Sequence, residues 1–198
     1  MIGNSKKEHY MKTDIKKGIT LIAVGFLFTL ININLTINTL KINVTPDFVG
    51  WFLFFLAFDN LGDYGKGKEY IKWLSLCLAI AVTALWIIGI VMPEQPVDIF
   101  KTIVSVLSSI YIFILFGILA KIAEDYGSNK ASTINFLKYL NIILILLFGA
   151  VAYFGAYKQS NALLGTAAIF GVMALASAIF TCVTLFGLRK DIQNSELA

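Results

Sequence analysis

The chain has 198 residues, 58% of them hydrophobic and 14% charged, with a mean hydropathy of +0.80. A soluble domain carries about 25% charged residues, so water could not solvate this surface, and the length leaves no room for a second globular unit. The net charge of +4 rests on lysines and the single Arg189; beside apolar runs such lysines set topology and meet lipid headgroups, which argues against nucleic acid as a partner.

Residues 1–14 read as a basic cytoplasmic tail without the cleavage pattern of a signal peptide. Met11 opens a second possible start, MKTDIKKGITLI, and His9 is the only histidine. A transmembrane domain follows over 15–190, with a short cytoplasmic tail at 191–198. Its fold class is all-α, an integral membrane bundle of six helices with spans at about 15–35, 46–61, 71–92, 99–122, 134–157 and 162–188. Beyond the first span, Ile37, Leu40, Ile42 and Val44 alternate with polar residues, as in an extended or irregular surface segment. Thr45-Pro46-Asp47 then reads as a helix start, with Thr as the cap, Pro at the first helical position and Asp at the positive end of the dipole. The helix that it opens is short, about 24 Å at the usual rise per residue.

Whether this short segment crosses decides the orientation of everything after it. With six crossings and both termini inside, thirteen Lys and Arg residues fall on the inner side and only Lys41, Lys101 and Lys158 on the outer. If the segment dipped in and returned, the division would be seven against nine. The positive-inside rule therefore selects six crossings. Trp and Tyr at both expected interfaces agree with it.

Asp63-Tyr-Gly65 after the second span matches Asp125-Tyr-Gly127 after the fourth, each with a lysine three positions on. Both fall on inner hairpins running in the same direction. The match therefore suggests a parallel duplication of a helical hairpin, not the inverted kind found in many transporters.

No span carries an ionisable residue at its middle, which argues against an ion-coupled carrier. With one histidine and one arginine there is no Ser-His constellation, no metal site and no expected cofactor, and the chain reads as non-enzymatic. An enzyme would need convergent acids, of which Asp59, Asp63, Glu124 and Asp125 are the available set. Asp47 is either a helix-capping charge or, with Asn32, Asn34, Asn38 and Lys41, part of an outward-facing polar pocket. Asn34, Asn38 and Lys41 share a face only if the first helix runs that far. Asp59 and Asp63 are spaced as like charges one helical turn apart, a solvated helix end eased by Lys66 and Lys68 or, alternatively, a binding site. Gly50 and the sequence Ala167, Gly171, Ala174, Ala178 place small residues where helices can approach closely. Packing within the bundle is one reading of the sixth helix; a dimer or membrane-protein partner interface is the other.

The run Ile42-Asn-Val-Thr-Pro-Asp-Phe-Val-Gly-Trp-Phe-Leu53, after a basic N-terminus and one span, resembles a family of small multi-pass membrane proteins of low-GC Gram-positive bacteria with a Pro-Asp-Phe-(Ile/Val)-Gly-(Trp/Tyr) motif. The resemblance covers about residues 15–62. It implies a plasma-membrane location and this architecture, and supplies no catalytic residues. Six helices in about 200 residues are also similar to substrate-binding subunits of energy-coupling-factor vitamin transporters. The Ala-xxx-Ala docking motif of those subunits is missing around Ala23. The expected function is an accessory or interaction protein of the plasma membrane, with the lipid bilayer as its surroundings. The alternative is a small-solute permease or the substrate-binding subunit of a multi-component transporter.

Overall fold

The computed structural model describes residues 2–30, 34–37, 40–43, 47–65, 67, 69–91, 98–158 and 161–195. The side chains of 2–13, 30, 34–37, 40–43, 98, 145, 148–158, 161–165, 167, 168 and 170 are outside the description. Among these residues the chain forms six α-helices: α1 Ile2–Leu30, α2 Asp47–Phe58, α3 Glu69–Val91, α4 Asp98–Asp125, α5 Lys130–Lys158 and α6 Asn161–Asn194. Two short strands, β1 Asn34–Ile37 and β2 Leu40–Asn43, form an antiparallel ribbon between α1 and α2. Among the described residues three stretches are long and apolar enough to cross a membrane: Glu69–Val91, Ile99–Asp125 and Gly171–Asn194.

Two expectations at the start of the chain need correction. The first helix does not run to residue 35; it stops at Leu30, and the alternating stretch pairs with itself, Asn34 opposite Asn43 and Ile37 opposite Leu40. Alternation with period 2 cannot present one helical face, but it suits a ribbon with one apolar and one polar side. The second helix is also shorter than 46–61. It covers 12 residues, about 18 Å, and ends in a turn in which the amides of Asn60 and Leu61 donate to the carbonyls of Ala57 and Phe58. A 3-10 turn, Gly62–Gly65, follows.

Each helix packs against the next, and α6 returns to α1, so the six close into a ring. Five aromatics from three helices hold its centre. Phe26 of α1 meets Phe54 at 5.1 Å and Phe116 at 5.5 Å between ring centroids, both edge to face, and Trp51 meets Tyr111 at 5.3 Å. Such edge-to-face pairs add roughly 0.5–1.5 kcal/mol beyond burial.

The closest approach lies between α1 and α2. A Cβ on Gly50 would lie 2.5 Å from the Gly25 carbonyl oxygen, and one on Gly25 would lie 2.6 Å from the Phe54 ring. Gly18, seven residues before Gly25 and so on the same face, meets Leu61 and Ala57. The chain thus brings these two backbones together through glycines on both sides of the contact. In the opposite direction, large apolar side chains stand on the outside of the ring. Ile99 is 81% exposed, Val172 68% and Ile80 63%, an apolar exterior that water would not tolerate in a contiguous band.

The end of α4 shows how the sequence stops a helix. The Ser128 amide donates to Ala123 O and the Gly127 amide to Glu124 O, while Gly127 adopts φ of +63°. These are the two bonds of a Schellman motif, with glycine at the left-handed position that costs other residues most.

Candidate functional site

A cavity of about 730 Å³ opens inside the ring, lined by residues of all six helices. It lies toward the ribbon end of the bundle, where α1, α3 and α5 finish and α2, α4 and α6 begin. Its walls are mainly apolar and aromatic, with Phe26, Trp51, Leu85, Trp86, Ile112 and Leu144 among them. Polar groups project from four helices: Thr29 of α1, Ser105 and Ser108 of α4, Asn141 of α5 and Thr181 of α6. Among the described lining residues the only charged ones are Asp47, in the first turn of α2, and Lys101, in the first turn of α4. A mostly apolar cleft of some 300–1,000 Å³ with a few placed polar groups is what small-molecule sites look like.

Why the space exists can be read from α6. Ala174 and Ala178 face into the cavity, while the same helix turns Val172, Leu175, Ile179 and Val183 outward. Small side chains on the inner stripe leave volume that leucines would fill. The polar floor is tied down locally. Asn141 Nδ2 donates to Leu137 O at 3.0 Å, Ser177 Oγ donates to Asn141 Oδ1 at 3.0 Å, and Thr181 Oγ1 donates to Ser177 O at 2.9 Å. Two of these bonds use carbonyls one turn back on the same helix and the third joins α6 to α5, so groups that would be costly to leave bare in an apolar setting are satisfied.

The expected site residues are distributed differently. Asp47 is half-buried at the cavity, but its companions there are Lys101, Ser105 and Thr29. Asn34 lies in β1 and Lys41 in β2, so the helical face that would have joined them does not form; Asn32 and Asn38 lie outside the described residues. Asp59 and Asp63 do not share a helix, because α2 ends at Phe58. Asp59 instead accepts a 2.5 Å hydrogen bond from Lys72 Nζ of α3, and that ammonium also stands 4.8 Å from the Phe55 ring centroid. Lys66 and Lys68, the expected partners, lie outside the description. Gly50 sits in the α1–α2 contact, Gly171 is half-buried, Ala178 is buried, and the side chain of Ala167 is outside the description.

At the opposite end of the ring the two Asp-Tyr-Gly tripeptides meet. Tyr64 hydrogen-bonds through its side chain to Asp125, with Tyr126 and Asp63 close enough to act on it electrostatically. Burial pushes the Tyr64 hydroxyl well above its ordinary pKa, and the Asp125 carboxylate adds to the shift. The copies differ in local backbone. The first forms a 3-10 turn, whereas the second is a helix terminus with a left-handed glycine. Tertiary contact relates them; a shared conformation does not. Nearby, Ser128 Oγ donates to Asp191 Oδ2 of α6 and accepts from the Lys130 amide at 3.2 Å, which closes the start of α5. Among the described residues no group of three His, Cys, Asp or Glu is placed to hold a metal ion.

Sequence reasoning missed Lys101, Ser108, Asn141 and Thr181 as a group, since they come from three helices with no shared motif. It also missed Gly18 and Gly25, whose spacing of seven carried a readable signal. No protein-family profile matches the chain, and no curated protein or solved structure matches it.

Proposed function

We propose that the chain is a six-span protein of a bacterial plasma membrane, with both termini cytoplasmic, that binds a small solute in its central cavity as a permease or as the binding subunit of a larger transporter. The observation that carries this reading is the roughly 730 Å³ cavity lined by all six helices, with its two charged residues at one end. A bundle built only as an interaction surface would gain from filling that volume, because an unfilled cavity costs stability in proportion to its size.

The lysine asymmetry supports this orientation, with the ribbon and the ribbon end of the cavity outside. The apolar exterior of α3, α4 and α6 suits a lipid boundary. The resemblance to small Gram-positive membrane proteins supports the same location. The small residues Ala174 and Ala178 of α6 face inward, which favours solute binding over a partner interface on that stripe.

Cysteine labelling in intact cells and inverted vesicles tests both parts. With the native cysteines replaced, a water-soluble maleimide should reach D47C and S108C from outside and D63C only from the cytoplasmic side. Labelling of D47C from the cytoplasm would overturn the orientation, and an S108C that stays unlabelled from outside would overturn the open cavity.

A further inference from the structure

We propose that the ligand of the cavity is an uncharged amphiphile dissolved in the membrane, an apolar chain with a hydroxylated head such as a monoacylglycerol, and that it enters sideways from the outer leaflet between α3 and α4. This rests on the solute-binding reading, narrows the ligand to a chemical class and adds a route.

The route comes from where the ring is thinnest. Among the described residues, α3 and α4 make the sparsest contact of any neighbouring pair of helices. The cavity reaches the surface at the same seam. Of the described residues that line it, only Gly89 of α3 and Lys101 and Ser105 of α4 are exposed. A Cβ on Gly89 would meet no atom within 4 Å, so no described neighbour packs against α3 at that point.

Depth decides what the seam faces. The 28 residues of α4 make about 42 Å of helix, so about 6 Å projects at each end of a hydrocarbon core of ~30 Å. Ser105 lies seven residues after Asp98, about 10 Å along the axis. In the orientation proposed above it stands just inside the hydrocarbon of the outer leaflet. Val91 of α3 and Ile103 and Val106 of α4 are exposed beside it in the two helices. An apolar rim of this kind meets acyl chains better than it meets a hydrated solute.

The lining sets the ligand class. Asp47 and Lys101 each already interact with another group of the protein. An ionised ligand would therefore lose its hydration in the cavity without a free counter-charge to replace it. Phe26, Trp51, Leu85, Ile112 and Leu144 supply apolar wall for a chain, whose transfer out of water or headgroups is favourable in proportion to its area. Near the seam Ser105 and Ser108, one turn apart on α4, add two hydroxyls, each able to donate and to accept. A head with hydroxyl groups matches them while its chain lies inward.

The test uses the full-length chain in phosphatidylcholine nanodiscs, with W73F and W86F leaving Trp51 as the sole tryptophan. Trp51 is buried and lines the cavity, and bromine quenches tryptophan only at close range. A dibromostearoyl monoacylglycerol should quench Trp51 saturably, and monooleoylglycerol should reverse the effect. A phosphatidylcholine with the same brominated chain should quench at least threefold less. G89L, whose side chain has open space to enter, should slow the quenching threefold or more. Thermal unfolding verifies that each variant is folded, and W73F alone, which removes only the exposed tryptophan, serves if W86F unfolds the chain. Absence of saturable quenching, or equal quenching by the phosphatidylcholine, would overturn the ligand class; an unchanged rate in folded G89L would overturn the route. The solute-binding reading stands or falls separately on external labelling of S108C.

Discussion

Tyr64, in the 3-10 turn after α2, hydrogen-bonds to Asp125 at the last residue of α4. The bond joins two parts of the chain that carry the same tripeptide, and it fixes the short loop after α2 against a long helix two elements further on. Y64F should therefore cost about 1 kcal/mol, the typical net value of an intramolecular hydrogen bond. Denaturation in mild detergent measures it. D125N, which keeps an acceptor oxygen, should lose less.

The same bond predicts a pH dependence. Tyr64 has its pKa raised in the folded chain by burial and by Asp125. Its contribution is thus complete below the ordinary tyrosine pKa of about 10 and is lost as pH rises beyond that value, because the unfolded chain releases the proton first. Wild type should lose stability between pH 10 and 11 more steeply than Y64F. Parallel slopes would mean that the hydroxyl titrates as it does in water.

Glycine replacements should sort by contact. G50A and G25A each place a methyl group within 2.5–2.6 Å of backbone or an aromatic ring, so each should cost roughly 1–3 kcal/mol or more by overpacking. G117A meets no atom within 4 Å and should be neutral or stabilising, given the better helix propensity of alanine. Melting temperatures in one detergent compare all three.

Lys72 and Asp59 form a surface pair, with 22% and 60% of their side chains exposed. A double-mutant cycle should give a coupling below about 1 kcal/mol that fades with added salt. The Lys72 contact with the Phe55 ring should outlast the screening, so K72A should remain slightly worse than D59A at high salt.

Inside the bundle, S177A removes the donor to Asn141. The expected cost is about 0.6 kcal/mol, the typical value for a side-chain hydrogen bond between membrane helices, and thermal unfolding of the variant checks it.

Apolar length in the sequence marks how far a bilayer would reach, not where a helix stops. α4 continues past Ile122 to Asp125 and α6 past Leu188 to Asn194, because Lys, Arg, Glu and Gln are good helix formers whether or not lipid surrounds them. The ribbon was visible as alternation at Ile37, Leu40 and Ile42. Its pairing was not, since the two residues between the strands, Asn38 and Thr39, lack the Asn-Gly signature of a tight hairpin. Asp47 could be singled out because it stands alone beside an apolar run. Lys101 could not, because its meaning depends on which faces of α2 and α4 turn toward each other. The cavity as a whole was out of reach for that reason. It is made by six helix faces, and the small side chains of Ala174 and Ala178 contribute to it.

The small size of these two residues has an evolutionary reading. A cavity bounded by alanines can be resized one methyl group at a time, without moving a helix or disturbing the glycine contact between α1 and α2. Substitution at positions 174 and 178 would then change the volume of the cavity while leaving its other walls in place.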